Sequence, residues 1–534
     1  MDGTMMSRPL TLDLVFQRAA SQFGSVEIVS RRPDRTVSRT SYGAVIARAH
    51  RLAQALVAAG VKPGEPVATL MWNHAEHVEA YFGIPLAGAV VHTLNLRLHP
   101  DEIAFIANDA GDRVLLVDEV LLPLYERFAE RVPFRQVIVV GASGPVAPGR
   151  HDYEALLAGV DPTTPLPPLR EDDASGCCYT SGTTGKPKGV VYTHRSTLLH
   201  SLVLGLPDGF GLSASDTLLP VVPMFHVNAW GLPYAAAMIG MKLVMPGPYL
   251  DPPSLLDLMR DEGVTIAAGV PTIWLGIRDA LEAEPERWRL RPGVRMIVGG
   301  SAAPAQLITD FDRLGLQLIH AWGMTETSPL GLVSRVPHAL RDAPEALKLS
   351  LRAKQGTPPP LVEIRVRNDA GDVPRDGRTS GEVQIRGPWV TGRYAGIDVP
   401  DRWTDDGWFR TGDVANVDEH GFVQLVDRVA DLIKSGGEWI ASAELENALM
   451  CHPGIREAAV VGVPHPKWSE RPVAVIVPKA GQRPSDDELR EFLASRFPKY
   501  WLPDAFVVVE EIPRTSAGKF KKTALREQLR DHEW

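Results

Sequence analysis

The sequence predicts an α/β fold: a large N-terminal body of mixed sheets flanked by helices, a β-rich subdomain, and a small mobile C-terminal α+β domain. Residues 42–140 and 195–320 alternate strand-like with helix-like segments, the order expected when helices cover both faces of a parallel or mixed sheet. Residues 361–426 change to short alternating runs such as Val362-Glu363-Ile364-Arg365-Val366, the period of half-buried strands. A second α/β alternation occupies residues 428–534, so the expected division is 1–427 and 428–534.

In the first stretch, Thr40-Ser41 caps a helix over residues 42–59, with Val45, Ala49, Leu52, Ala53 and Leu56 on one face and Gly60 at its end. Strand 66–71, a helix from 75 towards 87 that Pro85 is expected to shorten, strand 89–94, helix 99–109 and strand 113–118 follow. Residues 141–169, rich in Gly, Pro and Ala, read as a long surface connection. Helix 195–204 and strands 217–219 and 242–245 come next, then helix 252–261, strand 265–268 and helix 271–281. Strands 295–298 and 317–320 each end in a glycine-containing polar turn, which marks the carboxyl edge of a sheet, where open α/β sheets collect ligands. The run Trp408-Phe409-Arg410-Thr411-Gly412-Asp413 reads as a turn. The last segment is read as helix 442–450, strands 457–463 and 473–478, helix 485–497, strand 505–509 and helix 523–530.

The formal charge of −9 argues against a broad nucleic-acid surface. Three cysteines, two of them adjacent, make neither a disulfide framework nor a metal site. The first residues show no signal-peptide pattern, and the most apolar stretch, 218–241, is broken by Pro220, Pro223, His226, Asn228 and Pro233. That stretch reads as buried core and pocket wall. A cytoplasmic protein with no transmembrane segment is expected.

Chemistry concentrates in Tyr179-Thr180-Ser181-Gly182-Thr183-Thr184-Gly185-Lys186-Pro187-Lys188-Gly189-Val190. Glycines permit close backbone approach, and the hydroxyls and lysines suit an oligophosphate. The spacing between Gly182 and Gly185 is shorter than in the common nucleotide loop, and Pro187 follows Lys186. A flexible surface hairpin is the plain alternative.

This loop, Pro223-Met224-Phe225-His226, residues 299–304, Trp322-Gly323-Met324-Thr325-Glu326, Trp408 to Asp413, Asp427-Arg428, Lys434-Ser435-Gly436-Gly437-Glu438 and Pro513-Arg514-Thr515-Ser516-Ala517-Gly518-Lys519 occur in one order. Together they resemble the adenylate-forming superfamily of acyl-CoA synthetases, adenylation domains and beetle luciferases, across essentially the whole chain. Trp72-Asn73-His74, residues 222–230 and 434–440, and His465-Pro466-Lys467-Trp468 look most like the bacterial medium- and long-chain fatty-acyl-CoA synthetases.

The resemblance implies ATP, Mg²⁺ and coenzyme A, and an acyl-adenylate intermediate. Adenylation brings a carboxylate onto an anionic α-phosphate, so positive charge must be preorganised there. Lys519, at the tip of a small-residue turn, suits that role and matches the family's catalytic lysine; a surface lysine beside Lys521 and Lys522 is the alternative. Thr325 and Glu326 match residues acting at the metal and phosphates, with Thr183 and Glu326 as the metal set. Thr180 to Lys186, namely Thr180, Ser181, Gly182, Thr183, Thr184, Gly185 and Lys186, match the pyrophosphate cradle. Gly300, Ser301, Ala302, His320, Ala321, Trp322, Gly323, Met324, Asp413 and Arg428 match the nucleotide site, with Trp322 facing adenine where the family often has Tyr, and Asp413 on the ribose.

Lys434, Ser435, Gly436, Gly437, Glu438 and Trp439 match the face that receives coenzyme A once the small domain turns. The pivot is expected at Ala430, where the family usually has Asp or Lys. His226 matches the border of the carboxylate end, or is a satisfied core histidine. Val227, Trp230, Gly299, Ser301 and Pro329 are expected to line the acid pocket, with Trp230 resembling a gate indole or closing a short pocket. The expected activity is acid–CoA ligation on fatty acids, with short-chain, branched, sulfur-containing or aryl acids, or a stand-alone adenylating enzyme, as alternatives. Relatives are often homodimers.

Overall fold

The computed structural model describes the chain except residues 2, 181–185, 436–437, 515–519, 531 and 533–534; of residue 438 it describes the backbone. The strands of the described residues form four sheets. The first runs Arg150–Asp152, Gln136–Val140, Val114–Asp118, Pro66–Leu70, Val90–Thr93 and Ala174–Tyr179 in parallel, and ends on the antiparallel Gly189–Thr193. The second has a parallel centre from Gln317–Gly323 through Arg295–Val298, Ile266–Gly269, Thr217–Pro220 and Lys242–Met245 to Glu27–Arg31. Antiparallel edges, Leu330–Val333 and Val37–Ser41, close it.

Alternation along the strands explains the layering. Val67, Val114, Leu116 and Ile138 point to a core shared with Leu218, Leu243, Ile266 and Ile297 of the second sheet, filled by helices Tyr42–Ala58, Ala75–Leu86 and Leu232–Ile239. Their neighbours Ala68, Leu70, Leu115 and Val117 point outward against helix Pro100–Ala110. In the second sheet, Leu219, Val244, Ala267 and Met296 face outward against helices Pro252–Asp261, Pro271–Ala283 and Ala305–Arg313. Each sheet thus carries helices on both faces.

The third sheet, residues 363–428, is antiparallel. The fourth is built from residues 433–508 and has its own cores, one around Leu445, Ile476 and Leu489 and one around Val461, Val475 and Leu525.

Three local expectations need correction. Residues 141–169 are not all connection: they form strand Arg150–Asp152 and helix Tyr153–Gly159, because the buried Tyr153 hydroxyl donates to Glu79 Oε2 at 2.7 Å. Helix Ala75–Leu86 runs through Pro85. The proline lacks an N–H for the Tyr81 carbonyl, and that carbonyl accepts the Tyr234 hydroxyl at 3.4 Å instead. Finally, Phe409–Val417 is a strand in which Gly412, at φ 76°, makes the irregularity that reads as a turn.

Residues Val227 to Gly231 form a left-handed turn, with φ of 47°, 52°, 48°, 58° and 72° in order. Each non-glycine residue in that conformation costs about 1–2 kcal/mol. Asn228 tolerates it best, and its Oδ1 accepts from Tyr81 and from Cys178 Sγ, both at 3.3 Å.

Candidate active site

The end of one strand and the middle of another, from different sheets, meet at Trp322 and Asp413. The Trp322 indole donates from Nε1 to Asp413 Oδ2 at 2.9 Å, and both side chains are buried. Antiparallel pairing sets Arg428 opposite Asp413, with Nε 3.4 Å from Oδ1. The carboxylate is therefore fixed in direction by an indole, a guanidinium and its own strand.

Beyond strand Gln317–Gly323 the chain makes a short helical turn, Thr325–Thr327, that buries Glu326. Tyr394 donates to Glu326 Oε1 at 2.7 Å, leaving the second carboxylate oxygen for another partner. Burial, with the Glu326 carboxylate adding to it, raises the Tyr394 phenol, which keeps it a donor at neutral pH. Tyr192 donates to the Thr325 carbonyl at 2.9 Å. Nothing in the sequence spacing pairs Tyr394 with Glu326; the contact exists because Thr391 N donates to the Glu326 carbonyl and brings the third sheet's loop alongside.

The hairpin of strands Ala174–Tyr179 and Gly189–Thr193 is tied at its loop end, Thr180 N to Lys188 O at 2.9 Å and Lys188 N to Thr180 Oγ1 at 3.1 Å. The expected Ser181, Gly182, Thr183, Thr184 and Gly185 lie outside the described residues, as do Gly436, Gly437 and Lys519. Lys186 is exposed, its ammonium 5.3 Å from the Phe105 ring centroid.

A cavity of about 520 Å³ joins these groups. Thr180, Lys188, Gly300, Ala321, Trp322, Gly323, Met324, Thr325, Glu326, Asp413 and Arg428 line one part; His200, Leu204, Phe210, Val227, Trp230, Gly299, Pro329 and Leu330 line an apolar arm, and His226 also borders the cavity. A Cβ at Gly299 would sit 3.1 Å from Trp230 Cη2, and one at Gly323 would collide with the Pro329 carbonyl at 1.7 Å, so both glycines permit close approach. The segment before His226 is held by Asn73, whose amide donates to the Pro220 and Val222 carbonyls at 3.0 Å and accepts Met224 N at 2.8 Å.

Other described residues expected at the site do not line this cavity. Ser301 and Ala302 are exposed and line a second, larger cavity of about 1020 Å³, away from the apolar arm that Ser301 was expected to border. The loop turns Ser301 outward after Gly300, whose φ is 88°. His320 lines that second cavity, but its nitrogens are engaged: Nε2 lies 3.4 Å from Ala303 N and Nδ1 3.2 Å from the Ala353 carbonyl. Lys434, Ser435 and Trp439 lie on the paired strands Ile433–Ser435 and Glu438–Ile440 and line neither cavity. Sequence reasoning did not single out Tyr394, Tyr192, His200, Leu204 or Phe210, since each reaches the site from a distant element.

The AMP-binding enzyme model matches residues 16–395, and the AMP-binding enzyme C-terminal domain matches residues 444–519. The chain belongs to the AMP-binding enzyme family. Within this family it is 52% identical over 535 residues to a long-chain-fatty-acid–CoA ligase of Thermus thermophilus, covering 99% of this chain and 97% of that protein. It is 43% identical over 537 residues to a 3-methylmercaptopropionyl-CoA ligase of Ruegeria lacuscaerulensis, covering 99% of each. Among solved structures, ATP-bound MatB from Rhodopseudomonas palustris superposes with a TM-score of 0.83 at 26% identity, over 98% of this chain and 99% of that one. The AMP-binding family assignment agrees with the resemblance carried by the ordered motifs. No described helix is long and apolar enough to cross a membrane.

Proposed function

We propose that the protein is an AMP-forming acid–CoA ligase acting on fatty acids. The observation that carries this reading is the single cavity in which the Asp413–Trp322 pair and Glu326 open onto an apolar arm past Trp230. A nucleotide held at the first end has its α-phosphate near an acid held in the second. The carboxylate oxygen then attacks the α-phosphorus and the bond to diphosphate breaks. In the second half-reaction the thiol sulfur of coenzyme A attacks the acyl carbonyl, AMP leaves, and the thiol proton passes to solvent.

Asp413 suits the two ribose hydroxyls, with Arg428 complementing it and the Trp322 face towards adenine. Buried Glu326, with one oxygen taken by Tyr394, fits a single metal contact; Mg²⁺ there supplies charge neutralisation of the phosphates. The Thr183, Thr184 and Lys186 cradle and the Lys519 role follow the family motifs. Gly300 to Ala302 and Ala321 to Met324 are read as nucleotide contacts, and His320 as the residue that holds their loop. His226 and Val227 border the carboxylate end, with Gly299 and Pro329 as walls.

Residues 1–427 and 428–534 are read as two domains, turning about Ala430 to bring first Lys519 and then the Lys434–Trp439 face to the cavity. Exposure of Trp439, at 54%, suits a surface that waits for coenzyme A. A homodimer in the cytoplasm is the accompanying expectation, resting on the family and on the absence of a described spanning helix.

A second reading, a short-chain or sulfur-containing acid, is favoured by the approach of Trp230 to Gly299, which narrows the arm. The test is CoA-dependent AMP and thioester formation with acids from acetate to octadecanoate, with wild type and Lys519→Ala. The fatty-acid reading expects long acids to give the highest kcat/KM and the substitution to abolish adenylation. A peak at three to five carbons would move the assignment to short acids, and no thioester with any acid would reject the ligase reading.

A further inference from the structure

His200 is on the helix His194–Gly205 and is 1% exposed, yet it lines the apolar arm beside Leu204, Phe210, Trp230 and Leu330. Its Nε2 accepts the Leu330 N–H at 3.3 Å. Burial pushes its pKa down to about 3, so the ring is neutral. A neutral imidazole that accepts at Nε2 carries its hydrogen on Nδ1. That Nδ1–H meets no acceptor among the described residues.

The surroundings explain why. Trp389, edge-on to the ring at 5.9 Å, gives its own N–H to the Leu330 carbonyl at 2.9 Å. On the other side is Gly231, where a Cβ would lie 2.8 Å from Nδ1. Glycine leaves the nitrogen uncovered, and the left-handed turn sets that glycine there. A donor given no protein acceptor, in an otherwise apolar cavity wall, is costly unless something in the cavity accepts from it.

We propose that His200 is a specificity-determining residue whose Nδ1–H donates to an acceptor oxygen carried within the acid's chain, so that oxo-, hydroxy- or ether-containing acids are favoured over saturated ones of equal length. This rests on the acid–CoA ligase reading. A saturated chain strips the donor of any water and returns nothing, and discrimination of about ten- to a hundredfold is expected when a buried donor is left unpaired.

The test uses the full-length protein and matched acids: octanoate, and octanoates carrying a ketone, a hydroxyl or an in-chain ether oxygen at successive positions, with in-chain sulfur analogues as a separate arm. At one position along the chain, the oxygen-bearing acid should exceed octanoate in kcat/KM by about tenfold or more, mostly through KM. In His200→Leu and His200→Phe that ratio should fall towards one. Two variants are used so that a folding defect in either, seen by thermal unfolding, leaves the other to decide. Equal turnover of every matched pair by wild type, or a preference that survives both substitutions, overturns the assignment. A preference confined to the sulfur analogues also overturns it as an oxygen site. If no acid at all gives a thioester, the ligase reading fails first, and equilibrium binding of the matched acids then decides His200 by the same ratio.

Discussion

The indole of Trp322 and the carboxylate of Asp413, 91 positions apart in the chain, join the second sheet to the third through one 2.9 Å hydrogen bond. If Asp413 holds the ribose, Asp413→Ala should raise the KM for ATP by about ten- to a hundredfold, the worth of hydrogen bonds to a charged group. Trp322→Phe, which keeps a flat face but frees the carboxylate, should raise it by about two- to tenfold. Diphosphate release at varied ATP measures both. An unchanged KM in Asp413→Ala would remove the ribose role.

Tyr394 holds one oxygen of Glu326 at 2.7 Å. Tyr394→Phe should raise the Mg²⁺ concentration for half-maximal AMP formation by about tenfold, as loss of a hydrogen bond behind a metal ligand generally does. Glu326→Gln should lose more. A magnesium titration that superposes on wild type in Tyr394→Phe would show that Glu326 does not meet the metal.

His74 bridges Asp118 at 2.8 Å and Glu76 at 2.9 Å within a buried cluster. Burial works against its charge, but the two carboxylates outweigh burial and raise its pKa from 6.5 to about 10. A base whose pKa is higher folded than unfolded contributes its stability fully below the unfolded value and loses it as pH rises through the folded one. Tm should therefore decline between about pH 6.5 and pH 10, and the slope should flatten in His74→Gln. Parallel pH profiles for the two proteins would contradict the charged bridge.

Ala229 has φ 48°. In an ordinary helix, Ala→Gly costs about 1 kcal/mol. Here Ala229→Gly also relieves a left-handed alanine, so its effect on stability should lie within about 0.5 kcal/mol of zero, with denaturant midpoints as the readout. A loss of the ordinary helical size would mean that the turn is right-handed in solution.

Much of this architecture is legible in the chain because local chemistry and tertiary pattern agree. Helix Pro252–Asp261 is delimited by Asp251, whose side chain accepts Ser254 N, and by the prolines behind it. Strand Arg295–Val298 is bounded by Gly293 and Gly299, and its carboxyl end leads into the cavity as expected. Agreement fails where long-range contacts override local preference. Val227, Ala229 and Trp230 have no left-handed tendency of their own; only Asn228 and Gly231 hint at it, and Tyr81 and Cys178, which anchor the turn, lie far off in sequence. The same holds for the site: Glu326 stands in a readable motif, whereas Tyr394 and His200 enter it from elements whose composition is merely that of a loop and a buried helix.

Ala430 stands in the wall of the chamber that also contains Trp322, Glu326 and Trp230. With the proposed pivot there, the axle is part of the box. A small domain turning there would reshape the compartment proposed to shelter an anhydride prone to hydrolysis, so that speed of turning and fidelity of containment would be tuned by one residue.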